Sequence, residues 1–296
     1  MAAAAVPGVL ADAVIVNPGI AANPDLVSKL AASTSCWCWT RRASIETEGA
    51  VPVRNAVAGM LDSLEGTGSQ VAIVEFATSA DVPIGYTSVT PANITNVFDP
   101  YLDTDGSVDQ YFDGRVGSFT NWEAGLAQVN GLAAPDLVVF FTDGNPNTVI
   151  SDPQTTGNAS TEEAVLAAAA QADLIKTNGG NGGDGSHIFV VGVGGVTASN
   201  FAPVTDGANA LQYVTSTPGS GQTDVFAEAD YYVGSFDDLE QALQDVVTAL
   251  CGGTITVQKL IDVDGNLATD GDQTPATGWT FAATVDAPGS ATPTSA

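Results

Sequence analysis

Two short runs place oxygen-bearing side chains where an element begins or ends. Phe140-Phe141-Thr142-Asp143-Gly144-Asn145-Pro146 is an apolar run that stops at a carboxylate followed by a turn-forming glycine. Gly117-Ser118-Phe119-Thr120-Asn121-Trp122-Glu123 puts a hydroxyl just ahead of a helical pattern. Carboxylates and hydroxyls are the donors that hard divalent cations take. Each also has a plainer use, Thr120 as a helix N-cap and Asp143 as a turn residue. A third set of oxygens, Asp262, Asp264, Asn266, Asp270 and Asp272, suits either a Ca²⁺ loop or a solvated acidic one.

Groups for covalent or acid–base chemistry are sparse. The single His187 precedes an apolar run and reads as a structural histidine. Cys36-Trp37-Cys38-Trp39 is not a CxxC motif, and Cys251 stands alone. With no nucleophile–base pair, the sequence does not read as an enzyme. Gly192-Val193-Gly194-Gly195 follows a strand but lacks GxGxxG spacing, and reads as a turn rather than a nucleotide loop.

The elements that must position these oxygens alternate between strand and helix. Val53, Ala56, Val57, Met60, Leu61 and Leu64 share one face of a helix over 51–64, closed by Gly66 and Gly68. Near-continuous apolar runs at 71–76, 137–141 and 188–193 read as buried strands. An edge strand is expected over 84–89, helices over 91–101, 121–132 and 161–176, a last strand over 231–233 and a closing helix over 236–250. Such alternation predicts an α/β fold, a doubly wound and mostly parallel sheet whose ligands sit at the carboxyl ends of the strands.

Composition narrows the partners. The 296 residues include 34 acidic and 7 basic ones, for a formal net charge of −27. A chain so acidic repels phosphate backbones, which excludes nucleic acid as a partner, and disfavours anionic membrane surfaces. No apolar run reaches the ~20 residues of a transmembrane segment. Residues 1–30 read as a poorly structured N-terminal segment; its first 13 residues lack a basic n-region and look like a poor signal remnant or a misplaced start.

Thr120 before a helix and Asp143 after an apolar strand, on this α/β background, resemble two of the three loops of the metal-ion-dependent adhesion site of von Willebrand factor A (vWA) domains. The likeness covers about residues 44–250. It implies the Rossmann-like vWA fold over 31–250 and a Mg²⁺ site to which Ser44, Thr120 and Asp143 contribute. The third loop of that family, Asp-x-Ser-x-Ser, is missing. Thr40 and Arg42 stand in the places of its Asp and first Ser. Loss of a carboxylate and gain of a guanidinium imply weak or absent Mg²⁺ binding.

The genetic code accounts for the missing loop. Cys is TGY, Trp TGG and Thr ACN, so reading Cys36 to Thr40 from each third base gives YTG, GTG, YTG and GAC, which is Leu-Val-Leu-Asp whatever the codon choice. Continuing through Arg41, Arg42 and Ala43 permits Thr-Ser-Gly before Ser44, and upstream a cysteine is permitted at position 31. A pair of compensating frameshifts over 31–43, natural or from sequencing, restores a first strand ending in Asp-x-Ser-x-Ser. The alternative is a divergent segment, and resequencing decides between them. In the restored frame the new cysteine and Cys251 would lie at the adjoining ends of a vWA fold, which implies a disulfide and an oxidising compartment.

After Cys251 the character changes. Thr254-Ile255-Thr256-Val257-Gln258-Lys259 and Gly278-Trp279-Thr280-Phe281 resemble the opening of the B-type β-sandwich repeats of bacterial surface proteins. This predicts a short C-terminal β extension over 251–284, too short for a whole sandwich, with Ca²⁺ a candidate in its acidic loop. Residues 285–296 read as a disordered tail. Together these resemblances imply a secreted or cell-surface module of bacterial type that binds a protein partner through an acidic side chain. The alternative is an intracellular vWA protein working with an ATPase, as in metal chelatases.

Overall fold

The computed structural model describes residues 21–24, 33–40, 50–102, 117–153, 160–193, 196, 210–215, 231–234, 260–261 and 274–275. Arg42, Ser44, Cys251, the expected closing helix at 236–250, the acidic loop at 262–272, the Gly278–Phe281 motif and both chain ends lie outside them.

Six strands form one sheet: β1 (Thr34–Thr40), β2 (Gln70–Phe76), β3 (Ala80–Ser88), β4 (Leu137–Thr142), β5 (His187–Val193) and β6 (Tyr231–Gly234), in the order β3-β2-β1-β4-β5-β6. All neighbours run parallel except β3, which pairs antiparallel with β2 at the edge. Parallel neighbours need helical crossovers, and these cover both faces. On one face α1 (Ala50–Leu64) packs Val53, Ala56, Val57, Met60, Leu61 and Leu64 against Trp37, Trp39, Val139 and Phe141. On the other, α2 (Trp122–Asn130), α3 (Glu162–Lys176) and α4 (Ala210–Thr215) bury Trp122, Leu126, Val165, Ala168 and Tyr213 against Cys36, Cys38, Phe76 and Phe140. The mostly parallel, doubly wound α/β sheet is therefore as expected.

The run at 137–141 is buried at every position because β4 is central and covered on both sides. The segment after β3 is helical in three pieces, Pro91–Asn93, Ile94–Phe98 with a π turn, and Asp99–Leu102. Thr90 caps it, accepting from the Asn93 amide at 3.2 Å. At the far end of the sheet, the Asn23 side chain donates to Ile188 O (2.8 Å) and accepts from Ile188 N (2.9 Å), acting as a short piece of strand beside β5 where β6 has not yet begun. His187 Nδ1 pairs with Pro24 O at 2.6 Å, a structural role. Beyond the sheet, β7 (Leu260–Ile261) and β8 (Thr274–Pro275) form a two-stranded antiparallel pair. No helix among the described residues is long and apolar enough to cross a membrane.

Candidate functional site

β1 and β4 are neighbours, yet the chain leaves β1 for a helix on one face and β4 for a helix on the other. That divergence opens a crevice at their carboxyl ends, the ligand position of open α/β sheets. Thr40 ends β1 and Asp143 directly follows β4. Both are buried, at 0% and 6% exposure, and Thr40 Oγ1 donates to Asp143 Oδ1 at 3.3 Å. The structure thus brings together two of the positions marked in the sequence.

The third, Thr120, is held by a loop clasped on both sides. Gly117 lies so close to the turn between β2 and β3 that a Cβ there would sit 2.5 Å from Thr78 N, so only glycine fits. Phe119 N donates to Thr78 Oγ1 (3.3 Å), Asn121 N to Ala77 O (2.8 Å) and Asn121 Nδ2 to Thr78 O (3.1 Å). From the β4 side, Asn147 meets Thr120 twice: its Oδ1 accepts from Thr120 N at 2.7 Å and its N–H donates to Thr120 O at 3.0 Å. Trp122 Nε1 reaches Thr142 Oγ1 (3.0 Å) and Gly144 O (3.1 Å), the residues on either side of Asp143. α2 can seat this deeply because Gly125 faces Phe76 and Cys38, where a Cβ would fall 2.9 and 3.0 Å from side-chain atoms.

Thr120 is not the helix cap. Asn121 is, its Oδ1 accepting from Ala124 N at 3.0 Å. The Thr120 hydroxyl is consequently left with no hydrogen-bond partner although the residue is fully buried. Asn145 Oδ1 is buried without a partner as well. An unmade buried hydrogen bond costs about 1–3 kcal/mol, so these two oxygens, on the loops that lead into α2 and follow β4, form with Asp143 a candidate donor set. Asn121, Trp122 and Asn147 were not singled out from sequence. The Asn-x-x-Ala start of α2 carried a capping signal for the first; nothing local marks the other two, whose partners lie 20 to 27 residues away.

The donors are all oxygen, which suits a hard divalent cation. Charge is the shortfall. Asp143 is the one carboxylate in this donor set, and no group of three or more His, Cys, Asp or Glu gathers among the described residues. On the opposite face of the same strand end, Trp39 stacks on Tyr101 (centroids 5.9 Å apart) and donates to its hydroxyl at 3.2 Å, and Tyr101 in turn donates to the buried Glu75. Burial holds the Cys36 and Cys38 thiols well above their ordinary pKa, hence neutral and unreactive.

No family model matches the sequence, and no curated protein matches it. Solved structures do. The chain superposes on the pilus adhesin SpaC of Lactobacillus rhamnosus GG with a TM-score of 0.51 at 14% identity, over 77% of this chain and 31% of SpaC. Proximal thread matrix protein 1 of the mussel byssus aligns with a TM-score of 0.49 at 18% identity, over 76% of this chain and 48% of that one. A von Willebrand factor type A protein from Catenulispora acidiphila aligns with a TM-score of 0.48 at 11% identity, over 78% of this chain and 45% of that one. The likeness is one of fold, and the chain spans under half the length of each of these three.

Proposed function

We propose that the chain is an extracellular, non-enzymatic binding module of the vWA adhesion type, whose metal-ion-dependent site is degenerate. The carrying observation is the buried Thr120 hydroxyl, left without a partner on a loop that Asn147 and Trp122 fasten to the segment around Asp143, at the switch point of the sheet. Thr120, Asp143 and Ser44 are the residues that would hold a divalent cation, and a carboxylate from a partner protein would complete its shell. The cation supplies a charge for that carboxylate to meet. Thr40 contributes a neutral hydroxyl where such sites carry a carboxylate, and spends its proton on Asp143. Mg²⁺ binding is therefore weak or absent in this chain. The acidic loop with Asp262, Asp264, Asn266, Asp270 and Asp272 is proposed as a separate Ca²⁺ site in a partial B-type repeat. Catalysis has little to work with: His187 lies at the opposite end of β5 from the site and is engaged by Pro24.

The frameshift proposal gains support from the polar atoms of β1. Among the described residues, four buried side-chain N or O atoms lack a partner, and two of them, Ser35 Oγ and Trp37 Nε1, are in this strand. The shifted frame puts leucine at position 37 and permits valine at 35, neither of which has a polar atom to leave unpaired. It also puts aspartate at 40, where the Thr40 hydroxyl now meets Asp143.

Calorimetric titration with Mg²⁺ tests the reading. The chain as it stands is expected to give no micromolar binding, and Thr40→Asp to gain it. Micromolar affinity in the unmodified chain overturns the degenerate site, and no gain in the variant overturns the site itself. A clean DNA read encoding Cys-Trp-Cys-Trp removes the frameshift. Antibody labelling of intact cells tests the surface location, which fails if only lysed cells label.

A further inference from the structure

We infer that the Asn145 side-chain oxygen is an additional donor to a hard divalent cation at this site, partly replacing what the absent β1 carboxylate would supply; the inference rests on the metal-site reading above. Buried polar oxygens in folded chains are nearly always paired, so Asn145 Oδ1 calls for a partner. An asparagine just after a strand would ordinarily use that oxygen in a local turn, accepting from the N–H two residues on. That N–H belongs to Asn147, and it is spent on Thr120 O. The turn role is thus closed by the same contact that fastens the loop.

Placement favours the site. Asn145 lies between two clamps onto one short segment: Gly144 O is held by Trp122, and Asn147 bonds to Thr120 twice, through its side-chain Oδ1 and its backbone N–H. The segment that carries it, two residues after Asp143, is therefore fastened to the Thr120 loop on both sides of Asn145. Amide carbonyl oxygens are accepted ligands of hard cations, and a neutral donor satisfies coordination number without satisfying charge. A site built of Asp143, Thr120 and Asn145 is then complete in donor type yet weak, and adding charge at position 145 is expected to tighten it.

The probe is Mg²⁺ by calorimetry, with Tb³⁺ emission excited through the nearby Trp122 as a second readout. Asn145→Ala, Asn145→Asp and Thr120→Val are compared in the unmodified chain and in Thr40→Asp. A true donor is expected to cost at least ~10-fold in Mg²⁺ affinity when Thr40→Asp also carries Asn145→Ala, since even residues behind the ligands cost that much. Asn145→Asp is expected to tighten Tb³⁺ binding in both backgrounds, with the melting temperature in EDTA reporting that the fold is kept. If Asn145→Ala leaves affinity unchanged while Thr120→Val abolishes it, Asn145 is not a donor and the metal site survives. If neither Thr40→Asp nor Asn145→Asp binds either ion, both readings fall together.

Discussion

Thr40→Asp is the sharpest perturbation the fold offers. The Thr40 hydroxyl is 3.3 Å from Asp143 Oδ1, and the two residues are 0% and 6% exposed. A carboxylate at position 40 puts two negative charges roughly 4 Å apart, an interaction of about 4 kcal/mol at the effective dielectric of such sites. In EDTA the variant should lose stability by up to that amount near neutral pH. The pair can relieve the repulsion by sharing a proton, which raises one carboxyl pKa in the folded state. The stability is then present below the unfolded carboxyl value and lost as pH rises past it. A bound cation opposes that loss. At a Mg²⁺ concentration about 100 times the dissociation constant, binding adds about 2.7 kcal/mol, and for a domain of this size each kcal/mol moves the melting temperature by about 2–4 °C. Thermal melts in EDTA and in millimolar Mg²⁺ should therefore separate by roughly 5–10 °C for Thr40→Asp and coincide for the unmodified chain. Equal melts of the variant in both buffers would refute the argument, as would an equal Mg²⁺ gain in the unmodified chain.

Thr120→Val removes a buried hydroxyl that has no partner, so it should raise metal-free stability by about 1 kcal/mol while abolishing any cation binding; a loss of stability in urea titrations would show that the hydroxyl is already satisfied. Ser35→Val with Trp37→Leu removes both unpaired atoms of β1 but opens space beside Val53, Val57 and Met60. The double variant should therefore stay within about 2 kcal/mol of the parent, against the 3–5 kcal/mol usual for truncating a core tryptophan. A larger loss in urea titrations counts against an aliphatic strand here. The raised pKa of the Cys36 and Cys38 thiols keeps stability whole below the unfolded thiol value of about 8.5 and drains it above, by about 1.4 kcal/mol per thiol per pH unit. Urea midpoints measured from pH 8 to 10 should fall accordingly, and Cys36→Val with Cys38→Val should flatten that slope.

What the sequence made legible follows from which interactions are local. The runs at 71–76, 137–141 and 188–193 announce buried strands because both their faces are covered, and α1 announces itself through six apolar residues on one stripe. Asp143 was legible for the same reason: a buried strand that stops at Asp-Gly has one edge at which to stop. Thr120 was legible as a hydroxyl ahead of a helix but not as one freed from capping, since that depends on Asn121 taking the cap and on Asn147 and Ala77 holding the loop. β1 shows the limit most clearly. Thr34 to Thr40 pairs in unbroken register with β2, and Ser35 to Trp39 also with β4, because ladder hydrogen bonds belong to the backbone and are indifferent to side chains that are bulky and apolar enough. Pairing therefore cannot tell a frame-shifted strand from an original one. Polar atoms can. A strand selected for this core would have no cause to bury Ser35 Oγ and Trp37 Nε1 without partners, nor to end on a hydroxyl that neutralises no charge. The discriminating measurements are accordingly the ones that weigh individual polar atoms, at positions 35, 37 and 40, and not any that ask whether the strand forms.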